Sequence, residues 1–244
     1  MTITLNPPQV AITDGSRNRR TCSDFAEGCG GTIVHCRDLL SGKCKLADKV
    51  ATYGILRGSG EVMKQAKEFW YIDHGYIGRS VYFRITHNAL WHNGKGDYPS
   101  DRLDKILRHL HERKKNGSNI VLAPPSGKLE KYLGLQGWTE RTIEKIKKYT
   151  DRRIVLSFKR KNPMKEVIKD AWVVVTDHSN SAIDALIQGV PIIMTNPARE
   201  YGQIEDIEDP LFDRNILNPL SYNQWTLAEI KSGQAWRELT EREL

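Results

Sequence analysis

Short apolar runs alternate with longer polar stretches along the first third of the chain. The polar stretches between the runs have the length and composition of helices. Apolar strands separated by helices at this spacing predict a parallel β-sheet with crossover helices. The strands predicted in this way cover residues 10–13, 32–35, 50–56 and 69–72.

A glycine-rich turn follows the third of these runs. Arg57, Gly58, Ser59 and Gly60 precede a helical pattern over residues 61–68. Free backbone N–H groups at such a turn could bind an anion, although a plain tight turn is the commoner role of a single Gly-x-Gly.

A second series of alternating strands and helices begins after a polar passage at residues 93–118. Within that passage the charge pattern predicts a helix over residues 101–115. The strands predicted for the second series cover residues 119–123, 153–158, 171–176 and 191–195. The helices predicted for it cover residues 139–149, 164–169 and 181–188.

The two series look like two versions of one plan, and this sets the expected fold class. We predict an α/β protein with two small Rossmann-like lobes and an interlobe cleft. The N-terminal lobe is expected over residues 1–115 and the second lobe over residues 116–218. A helical tail, expected to cross back to the first lobe, occupies residues 219–244.

Composition narrows the class of protein only a little. The chain has 244 residues, 39% of them hydrophobic, which is enough for one sizeable core or two small ones. With no apolar run of roughly 20 residues and no signal-peptide pattern, we expect a cytoplasmic protein without membrane insertion. The net charge of +7 favours polyanionic partners, or reflects solvated lysine. Oligomeric state is not predicted.

Four cysteines lie close together in the N-terminal part of the sequence: Cys22, Cys29, Cys36 and Cys44. Their spacing matches no standard metal pattern, so we expect free thiols. A zinc site that includes His35 is the alternative, and no metal is predicted.

The most informative stretch of the sequence covers residues 171–196. An apolar strand runs directly into the polar turn Thr176-Asp177-His178-Ser179-Asn180-Ser181, and a helix follows at once. Ligands of open parallel sheets bind at the carboxyl ends of strands, where helix N-termini present free N–H groups. A single serine here could be an ordinary helix cap, but the whole run is harder to explain in that way.

This stretch resembles the donor-nucleotide motif of GT-B glycosyltransferases, in the version seen in capsule, lipopolysaccharide and phage-encoded sugar transferases. The residues that carry the resemblance are His178, Ser179, Asn180, Ser181, Asp184, Gly189 and Pro191. It covers residues 118–196, and the tail at 219–236, with a helix at 227–231, is similar to the closing helix of that family. The first hundred residues match only in general architecture.

The resemblance implies a nucleotide-binding role for this turn. His178, Ser179, Asn180 and Ser181 would contact the diphosphate. Asp184, where the family usually has a glutamate, would accept hydrogen bonds from the ribose hydroxyls, with solvated helix surface as the alternative.

Two further loops of the second series fit the same site. Ser126 follows the first strand, and Lys159 and Arg160 follow the second. A fixed cation beside a diphosphate stabilises the leaving group without a metal, so Lys159 and Arg160 are the candidates, or else part of a solvated basic turn.

Acidic and histidine residues at strand ends of the first series are candidates for the general base. Asp73 and His74 follow a strand and precede a glycine, a position from which a base could reach an acceptor hydroxyl. They are expected to face residues 179–181 across the cleft. Asp14, at the end of the first strand, is the rival base. A second polar group includes His87 and Asn88.

The predicted function is transfer of a sugar from a nucleotide-diphosphate donor, with no cofactor beyond that co-substrate. The favoured acceptor is a hydroxymethylpyrimidine in phage DNA. The alternatives are a capsule or lipopolysaccharide sugar transferase, and a non-catalytic nucleotide or nucleic-acid binding module. The residues predicted to contact DNA phosphates, which could equally be solvated, are Arg108, Arg113, Lys114, Lys115, Lys147 and Lys148.

Overall fold

The computed structural model describes residues 6–158 and 161–241, and within them the chain forms strands of three to seven residues. The strands are β1 Gln9–Ile12, β2 Thr32–His35, β3 Lys49–Tyr53, β4 Glu68–His74, β5 Tyr82–His87, β6 Asn119–Ala123, β7 Ile154–Leu156, β8 Ala171–Thr176, β9 Ile192–Met194 and β10 Gln224–Thr226.

Helices connect most of these strands. The α-helices are α1 Ser16–Cys29, α2 Cys36–Leu40, α3 Ser59–Gln65, α4 Asp101–Ile106, α5 Gly127–Leu133, α6 Trp138–Ile146, α7 Met164–Val167, α8 Ser181–Ile187, α9 Leu217–Tyr222, α10 Leu227–Lys231 and α11 Gln234–Glu241. Single 3₁₀ turns cover Ile168–Asp170, Pro197–Arg199 and Ile204–Asp206. Among the described residues, no helix is both long and apolar enough to cross a bilayer.

The chain divides into two compact units, each with its own sheet. The first unit contains the described residues up to His92 and those from Tyr222 onward. The second unit contains Asn93–Ser221. The mixed α/β class with parallel sheets is therefore confirmed.

The sheet of the first unit has the order β10-β5-β4-β3-β1-β2. The strands β4, β3, β1 and β2 are parallel, whereas β5 is antiparallel to both β4 and β10. Its core contains Phe25, Trp70 and Trp225, all essentially inaccessible to solvent. The third strand was predicted to reach residue 56 but ends at Tyr53, because Gly54 turns the backbone to φ 66°.

The sheet of the second unit has the order β7-β6-β8-β9, and all its strands are parallel. Strands β2-β1-β3-β4 of the first unit have the same arrangement. In both sheets the first strand of the series lies between the second and the third, and the fourth lies beyond the third. In both units the connections leave in opposite directions after the first and third strands. Such a topological switch point opens a crevice at the carboxyl ends of the two strands. Each unit therefore has one crevice of this kind, at β1/β3 and at β6/β8.

The helix predicted over residues 101–115 is wrong beyond Ile106, where α4 ends. The backbone donors of the chain that follows bond instead to residues at the end of α8 and to residues just before β8 and β9. His111 N donates to Ile187 O at 3.0 Å, Lys114 N to Gly189 O at 2.7 Å and Ser118 N to Asp170 O at 3.1 Å. These bonds replace the i to i−4 bonds of a helix, so tertiary pairing overrides the helical charge pattern.

Close helix packing in the first unit depends on a glycine. A Cβ on Gly28 of α1 would lie 2.0 Å from the carbonyl oxygen of Ile230 in α10 and 3.0 Å from the nitrogen of Gly233. Both obstacles are backbone atoms, which cannot move aside as a side chain would. Helices α1 and α10 therefore approach at a distance that only glycine permits.

We expect Gly28→Ala to destabilise the protein. Alanine improves helix propensity by about 1 kcal/mol, but overpacking costs about 1–3 kcal/mol or more, and contact with fixed backbone lies at the upper end. Gly127→Ala is the matched control, because no atom lies within 4 Å of the added methyl group at the first position of α5. Urea denaturation measures both. Equal stability of the two variants would contradict the packing argument.

Candidate functional site

The polar turn singled out in the sequence lies at the switch point of the second unit. Strand β8 ends at Thr176 and α8 begins at Ser181, so the turn stands at the carboxyl end of the sheet. The hydroxyl of Thr176 donates to the carbonyl oxygen of Ala123, the last residue of β6, at 2.7 Å. This bond ties the two strand ends together directly below the crevice.

The two serines of the turn are bonded to each other. Ser179 Oγ accepts from the hydroxyl of Ser181 at 2.8 Å and from the backbone N–H of Ser181 at 3.2 Å. Within residues 6–158 and 161–241, the Ser179 hydroxyl donates to no protein acceptor. Its hydrogen is thus left for a ligand or solvent, and the half-buried side chain is held in place by what it accepts.

Beside these serines lies a buried polar cluster. Asp177 and His178 are 2% and 4% exposed, and His178 Nδ1 is hydrogen-bonded to the Asp177 carboxylate. Asn196 Nδ2 donates to the same carboxylate at 2.9 Å, and the buried Arg199 donates to the carbonyl oxygen of His178 at 3.1 Å. The bonds from Asn196 and Arg199 connect the turn to the segment after β9 and so hold it in place.

Sequence reasoning included Asp177 in the turn without giving it a role, and it did not predict that Asn196 and Arg199 support the turn. Asp177 had a usable signal, because it stands between a buried strand and a histidine. The other two had none, since only the fold brings the segment after β9 to the turn. The proposed phosphate contact of His178 stays a prediction.

The remaining donor candidates are distributed around the same end of the second sheet. Asp184 is half-buried on α8, one turn after Asn180, and Ser126 is exposed immediately before α5. Lys159 and Arg160 lie outside the described residues. Their predicted roles stay predictions.

The glycine at position 189, which is part of the family motif, is required by the local backbone structure. Its φ is 82°, and a Cβ there would lie 1.9 Å from the carbonyl oxygen of Glu112. The glycine lets residues 107–118 pair with the segment before β9. Its place in the motif therefore follows from backbone packing.

In the first unit, Asp14 and His35 meet at the carboxyl end of the sheet. The Asp14 carboxylate accepts from His35 Nε2 at 3.1 Å and from Arg19 at 2.9 Å. The hydrogen bond from His35, followed by that from Arg19, lowers the pKa of Asp14 below its ordinary value. A carboxylate with a lowered pKa is a weaker base, which makes Asp14 a poorer candidate for proton abstraction.

Asp73 lies at the end of β4 in a dense set of interactions. It accepts from the hydroxyl of Tyr71 at 2.7 Å and from Arg84 Nη2 at 3.1 Å. Arg84 is 4% exposed and also donates to the carbonyl oxygen of His74. Its guanidinium lies 5.2 Å from the ring centre of Tyr76. Asp73 thus provides the counter-charge for the buried guanidinium of Arg84.

His74 has both ring nitrogens engaged. Nδ1 lies 3.0 Å from the carbonyl oxygen of Arg79, which can only accept, so Nδ1 carries the hydrogen. Nε2 then accepts from Arg17 Nη1 at 2.9 Å. An acceptor hydroxyl would have to displace Arg17 to use this nitrogen as a base. The catalytic role of Asp73 and His74 stays a prediction.

The candidate DNA contacts lie together, but at the other end of the second sheet. Residues 107–118 run past the starts of β8 and β9, and Lys114 Nζ donates to the carbonyl oxygen of Ile168. Lys147 and Lys148 follow α6 and precede β7. The basic residues brought together at this amino end are Arg108, Arg113, Lys114, Lys115, Lys147 and Lys148. The turn at residues 177–180 is at the carboxyl end.

Residues of the types that ligate metals occur in both units of the part of the chain that the structure describes. There, no three histidine, cysteine, aspartate or glutamate side chains are grouped as a metal site. The four cysteines are free thiols, as expected. Burial raises the pKa of Cys29 and of Cys36 to about 11, so both stay protonated at neutral pH.

The geometry defines a class of protein, with two α/β units whose sheets share the same four-stranded parallel arrangement. No protein-family model matches the chain, and no curated protein does either. Two similar solved structures are from Thermosulfurimonas dismutans. The structure of KpsC, β-Kdo 2,4 transferase, has a TM-score of 0.49 at 10% identity over 90% of each chain. KpsC, β-Kdo 2,7 transferase, has a TM-score of 0.41 at 13% identity, over 94% of this chain and 99% of that one.

We expect Asp73→Ala to be destabilising by about 3–5 kcal/mol, because it leaves the buried guanidinium of Arg84 without its carboxylate. Asp14→Ala is the control, since its exposed ion pair contributes little. Urea denaturation measures both, and a similar small loss in each would contradict the structural role of Asp73. The double variant Asp73→Ala/Arg84→Met should recover part of the loss.

Proposed function

We propose that this protein is a glycosyltransferase of the GT-B type, whose second unit binds a nucleotide-diphosphate sugar and whose first unit binds the acceptor. The observation that carries the proposal is the hydroxyl of Ser179 at the β6/β8 switch point, which accepts twice within the protein and, among the described residues, donates to no acceptor. A bound phosphate oxygen would supply the missing acceptor. Hydrogen bonds to a charged oxygen are among the stronger ones available to a hydroxyl.

The residues around the crevice suit the rest of the donor. Ser126 follows β6 and the Ser179 turn follows β8, so the two loops flank the crevice. In the proposal, Asp184 accepts from the ribose hydroxyls, and Lys159 or Arg160 offsets the charge of the departing diphosphate. This arrangement would need no metal. We expect it to operate in the cytoplasm.

The chemical step balances without a further reactant. A base in the first unit, with Asp73 and His74 ahead of Asp14, takes the proton of the acceptor hydroxyl. The acceptor oxygen then forms a bond to the anomeric carbon, and the bond from that carbon to the diphosphate oxygen breaks. The nucleoside diphosphate leaves with the electron pair of the broken bond.

The acceptor class is the finer part of the proposal. The basic residues first assigned to DNA lie at the amino end of the second sheet, whereas the donor crevice is at its carboxyl end. DNA held by those residues would contact the side of the unit away from the donor. This separation favours a glycan acceptor, as in a capsule or lipopolysaccharide sugar transferase, over a hydroxymethylpyrimidine in DNA.

We expect Ser179→Ala/Ser181→Ala to weaken nucleoside diphosphate binding by about 1–3 kcal/mol, or roughly 5- to 150-fold in Kd, through the lost bonds to charged oxygens. Isothermal titration calorimetry with UDP, GDP, ADP and CDP measures the Kd for each nucleotide.

Ser41→Ala, which changes an exposed serine after α2, is the control. An unchanged Kd in the folded double variant would remove the turn from the site. Nucleotide binding without hydrolysis or transfer would indicate a binding module.

DNA binding is tested separately from transfer. If the basic residues contact DNA, its affinity should fall steeply between about 50 and 200 mM salt, because each neutralised phosphate releases a condensed counterion. Lys147→Gln/Lys148→Gln should make that dependence shallower. We expect no sugar transfer to hydroxymethylated duplex under conditions where glycans are modified. Transfer to that duplex, abolished by the same variant, would restore DNA as the acceptor.

A further inference from the structure

The first unit has its own switch point, between β1 and β3, at the position equivalent to the donor crevice of the second unit. Two arginines occupy the loops on its two sides. Arg17 follows β1, in the first turn of α1, and Arg57 follows β3. Since ligands of open parallel sheets bind at this point, the charge placed there bears on what the first unit binds.

Arg17 extends from the β1 side toward β4. Its Nη1 donates to His74 Nε2 at 2.9 Å. An imidazole that donates through Nδ1 and accepts through Nε2 is neutral, so this contact orients the guanidinium without offsetting its charge. Within the described chain, no acidic side chain pairs with Arg17.

Arg57 extends in the opposite direction, from the β3 side toward β1. Its Nη1 lies 2.7 Å from the place where a Cβ on Gly15 would stand. The missing side chain at Gly15 is what gives the guanidinium room against the β1 turn. Residues 6–158 and 161–241 provide no acidic partner for Arg57 either.

The two aspartates at this edge of the sheet are already engaged. Asp14 accepts from Arg19 and His35, and Asp73 accepts from Arg84. Each aspartate is therefore balanced by a cation or a donor of its own. The charges of Arg17 and Arg57 are left without a counterpart at the crevice.

We propose that the β1/β3 switch point binds the carboxylate or phosphate of an acidic sugar, with Arg17 and Arg57 as its ligands. This inference deepens the proposed function, on which it rests, by making the acceptor an anionic glycan. Guanidinium groups bind both oxyanions through paired N–H donors, which a lysine cannot reproduce. Two guanidiniums without an acidic partner among the described residues, one after β1 and one after β3, suit the binding of one such group at the switch point.

The test uses the full chain and three probes: glucuronate, glucose 6-phosphate and neutral glucose. We expect one or both acidic sugars to bind and glucose not to bind, and the tighter of the two identifies carboxylate or phosphate as the recognised group. Calorimetry gives Kd. The side-chain Nε–Hε NMR signals of Arg17 and Arg57 should shift on binding.

Variants assign the site to these two residues. Arg57 has φ 61°, so Arg57→Asn removes the cation with a residue that tolerates this backbone conformation. Arg57→Asn and Arg17→Gln should each weaken the bound acidic sugar about tenfold, the order expected for one charge-assisted hydrogen bond. The Kd of Arg57→Lys for the acidic sugar should lie between that of the unsubstituted protein and that of Arg57→Asn. Arg237→Gln, which changes an exposed residue of α11, is the control and should bind normally.

The outcomes separate this inference from the proposed function. No acidic-sugar binding, or binding unchanged in Arg17→Gln and Arg57→Asn, would overturn it while leaving nucleotide binding at Ser179 intact. Loss of nucleoside diphosphate affinity in Arg57→Asn would assign the site to the donor and overturn it as well. Acidic-sugar binding without any nucleotide binding would keep the site and reject the glycosyltransferase.

Discussion

Parallel strand pairing is the constraint on which the rest of this structure depends. Strands β6 and β8 are buried on both faces and are almost entirely aliphatic, so they have no room for polar side chains. The polar groups must follow the strands, and parallel pairing brings all those positions to one edge of each sheet. In the second unit this edge collects Ser126, Asp177 and Ser179. In the first it collects Asp14 and Asp73.

The buried charged groups at the carboxyl edges of the two sheets are neutralised in different ways. In the second unit, Asp177, His178 and Arg199 form a buried cluster that holds a turn and leaves the serine hydroxyl above it with an unused hydrogen. In the first unit, Arg84 and Asp73 balance each other inside the protein, while two other arginines stay uncompensated near the surface. Only groups left unsatisfied after this internal pairing are available to a ligand.

The sequence was most informative where hydrophobic burial alone decides the structure. The predicted strands at residues 119–123 and 171–176 and the helix at 227–231 are confirmed with their boundaries. It was least informative where tertiary pairing decides. Residues 107–115 carry a helical pattern, but His111 and Lys114 donate instead to Ile187 and Gly189, at the end of α8 and before β9. Helix α5 was not predicted, because two prolines precede it closely and a glycine is its first residue.

The candidate site also contains parts that the sequence predicted and parts that it did not. The turn at residues 177–180 could be located because strand, turn and helix are contiguous in the chain. The placement of Arg57 against Gly15 and of Arg17 against His74 could not, because these contacts join loops that follow different strands. The pairing of Asp73 with Arg84 could not be predicted either, because it depends on β5 running antiparallel to β4.

Strand β10 has a consequence for how the protein is made. It pairs with β5 and buries Trp225 in the first core, although some 130 residues, those of the second unit, separate it from the rest of that unit. During synthesis the second unit can complete its sheet first, while the edge of β5 stays open and Trp70 lacks part of its cover. An open edge of this kind is a site for aggregation. In the nascent first unit this edge therefore stays unpaired until β10 emerges.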